Sequence, residues 1–104
     1  MPLNPSSEET RRHGVEELEA LKGRVLIWRE SYCRSAPPGG GSEYLFLCNE
    51  FNFEIEEYLY PYVRRMIITE HIDQEQAAEF MDFCFQQVRE FQAYLMEGEE
   101  PPTV

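Results

Sequence analysis

An all-α fold, a small three- to four-helix bundle with a Gly/Pro-rich loop after the first helix, is the class this sequence predicts. Three observations predict it. Apolar residues recur at gaps of three and four in three separate stretches, the spacing that lines one face of a helix. The segment SAPPGGGS (35–42) interrupts them, and Pro-Pro followed by three glycines does not continue a helix. Asp73 with Gln76, and then Gly98, bracket the last stretch with a capping box and a C-terminal stop.

The first helix is expected to start at a Ser7 cap, with Glu8 and Glu9 in its first turn. Val15, Leu18, Leu21, Val25, Trp28 and Tyr32 form its apolar stripe. Gly14 and Gly23 each weaken it by roughly 1 kcal/mol relative to alanine. The second helix is expected from a Ser42 cap, with Tyr44, Cys48, Phe51, Ile55, Tyr58, Tyr62 and Met66 facing the core. Phe51–Glu56 alternates strictly, a strand signal, but the helical pattern covers a far longer stretch. Pro61 lies inside it and must kink the helix or start a new one. The third helix runs from Asp73 to about Met96 on Ala77, Met81, Cys84, Val88, Phe91 and Leu95, with Phe80, Phe85 and Tyr94 widening its apolar face. The competing arrangement is α+β, in which RVLIWRESYC and EYLFLC pair as a hairpin and two helices pack on it. One domain is expected over 1–104, with loose tails at 1–7 and 98–104 and a flexible loop at 35–42.

Charge narrows the partners. The 104 residues carry nine Lys and Arg against twenty Asp and Glu, a formal charge of -11. Residues 1–42 are neutral overall, so the whole excess belongs to residues 43–104, whose only bases are Arg64, Arg65 and Arg89. Such a chain is not expected to bind nucleic acid directly, because that affinity comes largely from Lys and Arg on phosphates. Anionic membranes are disfavoured on the same ground, and no apolar run long enough to span a bilayer is present. The N-terminus lacks the apolar core of a secretory signal. Cys33, Cys48 and Cys84 are odd in number and widely spaced, as expected of reduced cytoplasmic thiols.

Catalytic and metal patterns are weak, and no enzyme, metal or cofactor is expected. His13 and His71 do not stand in an ExxH motif. His71 with Glu75 makes at most half a metal site and reads first as a surface pair beside the Asp73 cap. No GxSxG context supports a nucleophile. The GGG run lacks the GK[ST] ending of a phosphate loop.

The informative feature is a second stripe on the second helix. Phe46, Glu50, Phe53, Glu57 and Tyr60 recur at gaps of four, three, four and three, pointing away from the core stripe, with Glu54 beside them. Aromatic anchors flanked by carboxylates suit a protein-binding surface that meets Arg or Lys. These six residues are the expected partner-binding site. The expected partner is a basic protein, in the most concrete version a nuclease toxin that this chain neutralises as an immunity protein or antitoxin. The competing reading packs Phe46, Phe53 and Tyr60 against the first helix. Further alternatives are a homodimeric adaptor bundle and a small enzyme or metal protein. Tyr58 and Tyr62 are assigned to the core, and Tyr60 to the surface.

Overall fold

The computed structural model describes residues 5–102; the part of the expected arm at 1–4 and of the tail at 103–104 lies outside the described residues. The fold is all-α. Helix α1 spans Pro5–Arg34, α2 Phe46–Glu54, α3 Tyr60–Ile68 and α4 Gln74–Glu97. No strand occurs among the described residues. The α+β arrangement is therefore wrong: RVLIWRESYC lies within α1 and EYLFLC runs from a 3-10 turn into α2, and the alternating FNFEIE stretch is helical too.

Helix α1 begins earlier than expected, at Pro5 rather than after Ser7. Proline is tolerated in a first turn, where its missing N–H would have no partner. Leu18, Leu21, Val25 and Tyr32 are buried as expected, whereas Val15 is exposed and Trp28 is half-buried. The position that turns inward beside Trp28 is Arg29, only 2% exposed. Its Nη1 donates to Gln87 Oε1 at 2.7 Å and pairs with Glu90 Oε2 at 3.7 Å. Its Nη2 donates to Glu30 Oε1 at 3.1 Å and to the Pro102 carbonyl at 2.9 Å. One guanidinium thus joins α1, α4 and the C-terminal segment.

Neither glycine breaks α1. Gly14 is buried where the helix meets the turn between α3 and α4, and a Cβ there would stand 2.0 Å from the His71 carbonyl oxygen. Nothing lies within 4 Å of a Cβ at Gly23. The two sites should therefore respond with opposite sign. Gly23→Ala is expected to gain about 0.5–1 kcal/mol from helix propensity. Gly14→Ala is expected to lose about 1–3 kcal/mol, because its methyl forces backbone apart. Urea unfolding of the two variants checks this, and a stabilised Gly14→Ala would contradict the close approach.

The glycine-rich connection folds back on the end of α4. Gly39 and Gly41 N–H donate to the Tyr94 and Leu95 carbonyls in the last turn of α4 at 2.9 Å each, and the Tyr94 carbonyl also accepts from Gly98 N–H at 3.0 Å. The Tyr94 hydroxyl returns the contact, donating to the Cys33 and Ala36 carbonyls. Ser42 does not cap α2: a short 3-10 turn, Ser42–Tyr44, intervenes without a side-chain cap, and Tyr44 is half-buried. The Asp73 cap is as expected, with Gln76 N–H donating to Asp73 Oδ1 at 2.7 Å and Asp73 N–H to Gln76 Oε1 at 2.9 Å. Gly98 closes α4 at φ 75°, a left-handed conformation that glycine adopts without strain. Cys84, Val88, Phe91 and Leu95 are buried; Met81 is only half-buried, and Phe80 fills the core in its place.

Helices α2 and α3 form one continuous rod joined by a π-turn, Ile55–Leu59. Pro61 is the cause. It has no N–H to offer the Glu57 carbonyl, and its ring clashes with that carbonyl in a regular helix. Widening the turn so that Tyr60 N–H donates to the Ile55 carbonyl makes room without ending the rod. The inward line is then Cys48, Phe51, Ile55, Leu59, Val63 and Met66. Tyr58 and Tyr62, expected in the core, are 66% and 40% exposed. The extra residue in the π-turn turns the chain so that Leu59 and Val63 point inward instead.

Candidate functional site: an acidic, aromatic groove on the α2–α3 rod

The rod has an apolar outer face. Among the described residues, the exposed large apolar side chains are Val15, Ile27, Phe46, Phe53, Tyr58, Tyr60, Tyr62, Ile68 and Met96, and six of them lie on this rod. Phe46, Phe53 and Tyr60, at 55%, 58% and 50% exposed, are not buried in a core against α1. That overturns the competing packing of the second stripe. The core side of the rod is filled without them, by Phe51, Ile55, Leu59 and Val63.

An open depression on this face is lined by Asn49, Glu50, Phe53, Glu54 and Tyr58. It gathers three of the six residues expected from the sequence: Glu50, Phe53 and Glu54. Phe46 and Glu57 are exposed but do not line it. Tyr60 is displaced to a second depression with Pro61, Arg64, Arg65, Ile68 and Thr69. The π-turn explains the split, because the regular stripe from Phe46 to Phe53 loses its phase between Ile55 and Leu59. Tyr58 takes the aromatic place in the first depression that the sequence spacing gives to Tyr60. Asn49 and Tyr58 are the site residues missed by the spacing argument; Pro61 was the signal that its phase would change.

Glu54 is fixed from within. It is half-buried, and its Oε1 accepts a hydrogen bond from the Tyr32 hydroxyl of α1. Tyr32 is in turn held by the core: its ring stacks on Phe51 at 4.8 Å between centroids and lies 5.6 Å from Phe91. Burial pushes the Tyr32 phenol above the ordinary tyrosine range, and the hydrogen bond to Glu54 and the nearby Glu50 charge add to it. The phenol stays protonated and remains a donor. The result is a carboxylate oriented by the core, beside the exposed Glu50 and two exposed rings. Such preorganisation lowers the ordering cost of binding.

The other reactive groups are inert or dispersed. Cys33, Cys48 and Cys84 are free thiols. Burial raises all three, Cys33 to about 11 with help from Glu30 and Cys84 to about 12, so little thiolate exists near neutrality. His71 Nδ1 lies 2.7 Å from the Thr69 hydroxyl. Among the described residues no group of three or more His, Cys, Asp or Glu side chains is gathered for a metal. No described helix is long and apolar enough to cross a membrane. Comparison with protein-family models, curated proteins and solved structures finds no match.

Proposed function

We propose that this chain is a small acidic binding protein that occupies a basic surface of another protein, most concretely as an immunity protein or antitoxin of a nuclease. The observation that carries the reading is the core-anchored Glu54 beside Glu50, Phe53 and Tyr58. Exposed rings supply apolar anchors, and the oriented carboxylate supplies a charged acceptor for Arg or Lys. A nuclease presents such cations to bind phosphates. A carboxylate surface competes for them, and opposite net charge speeds encounter. Free thiols suit the reducing cytoplasm in which such an inhibitor protects its own cell.

Capture from the native source tests the reading. The wild type is expected to retain a basic protein and to inhibit its nuclease activity. Glu54→Gln should keep the Tyr32 hydrogen bond and the fold, since both carboxylate and amide oxygens accept, yet weaken binding by about 2–5 kcal/mol if the charge pair is desolvated. Tyr58→Ala should cost about 2 kcal/mol or more as an anchor, and Tyr60→Ala less. The reading fails if no basic protein depends on Glu54 and Tyr58 for retention.

A further inference from the structure

The same rod carries opposite charges on its two halves. Glu50 and Glu54 lie in the depression on α2, whereas Arg64 and Arg65 lie with Tyr60 and Ile68 in the depression on α3. Neither guanidinium has a carboxylate within ion-pair distance among the described residues. They are two of the three bases in the otherwise acidic residues 43–104. Ile68 beside them is 73% exposed, so this end is apolar and cationic as the other is apolar and anionic.

We infer that the outer face of the α2–α3 rod pairs with the same face of a second copy of this chain, the two rods running antiparallel about a two-fold axis. A two-fold contact places one patch against itself with its ends exchanged. Antiparallel pairing then sets each acidic depression against the partner copy's Arg64 and Arg65, and sets Phe53 and Tyr58 near its Tyr60 and Ile68. Parallel pairing would oppose acid with acid, which is unfavourable. In the free protein the second copy's arginines take the place of a basic partner's, so self-pairing and partner binding exclude one another. The inference uses the face on which the proposed function rests, but does not depend on a basic partner existing.

Sedimentation equilibrium over a concentration series tests it, with two charge-reversed proteins checked for helix content by circular dichroism. The wild type should dimerise. Glu50→Arg puts cations against cations at both symmetry-related contacts, and Arg64→Glu with Arg65→Glu puts anions against anions. Each protein alone should associate roughly a hundredfold more weakly or worse. Mixed in equal amounts they should form a heterodimer, because both contacts then join opposite charges. That recovery also shows that both proteins are folded. A wild type that stays monomeric, a dimer indifferent to both reversals, or a mixture that fails to re-associate overturns the inference. A monomer that still captures a basic protein through Glu54 overturns self-pairing alone, and a chain that dimerises when concentrated but captures none when diluted to the monomer overturns the proposed function alone.

Discussion

Phe91→Ala is expected to destabilise the protein by about 3–5 kcal/mol, the range for emptying a buried phenylalanine site. Phe91 is fully buried, with ring centroids 5.6 Å from Tyr32, 6.3 Å from Phe51 and 6.2 Å from Tyr94. Such a loss is a large part of the 5–15 kcal/mol that holds a typical domain together. It also reaches the surface. The same aromatic cluster holds Tyr32, and Tyr32 holds Glu54, so the variant should bind a partner more weakly even where it remains folded. Urea unfolding gives the stability; a loss below about 1 kcal/mol would show that Phe91 is not part of a close-packed core.

Removing the Arg29 side chain should cost a similar amount, for a different reason. Arg29→Ala opens a void between α1 and α4, leaves the buried Gln87 oxygen without its 2.7 Å donor and strands Glu90 without its cation. Breaking a buried charged network on one side typically costs about 3–5 kcal/mol. Arg29→Met combined with Gln87→Leu keeps the volume and removes the Arg29–Gln87 pair together, and should recover part of the loss, since apolar replacement of a buried polar pair is often neutral, while Glu90 still lacks its cation. Arg29 Nε is itself buried without a hydrogen-bond partner, so the wild-type network is not fully satisfied and leaves room for that recovery. Paired unfolding curves for the two proteins decide it. A single Arg29→Ala loss below about 1 kcal/mol, or no recovery in the double variant, would contradict the role given to this network.

The elements differ in how far local signals governed them. The bounds of helix α4 were legible because Asp73, Gln76 and Gly98 act on their own immediate backbone, and the structure keeps their hydrogen bonds. The outward direction of Phe46, Glu50 and Phe53 was legible because the α2 stretch keeps one regular helical period. The places of Tyr58, Tyr60 and Tyr62 were not. Spacing arguments assume a constant turn, and Pro61 changes it by one residue at Ile55–Leu59. Tyr60 therefore leaves the groove and Tyr58 enters it. The inward turn of Arg29 was hidden by its type, although Val25, Arg29 and Tyr32 follow one another at gaps of four and three. Tyr32's bond to Glu54 joins residues distant in sequence, and no local pattern encodes such a contact. Gly14 was read as a cost to the helix; its contact with the His71 carbonyl belongs to the packed chain alone.

The central claim is that the Glu50–Glu54 groove recruits a basic partner by charge and holds it by its rings. Association kinetics of the captured partner across a salt series measure it most directly. The association rate of the wild type should fall steeply as salt rises, because exposed charges are screened beyond about 10 Å at 0.1 M. Glu50→Lys should lower that rate and flatten its salt dependence, whereas Tyr58→Ala should act on dissociation. A wild-type rate indifferent to salt, with Glu50→Lys and Tyr58→Ala binding as the wild type does, would contradict the account.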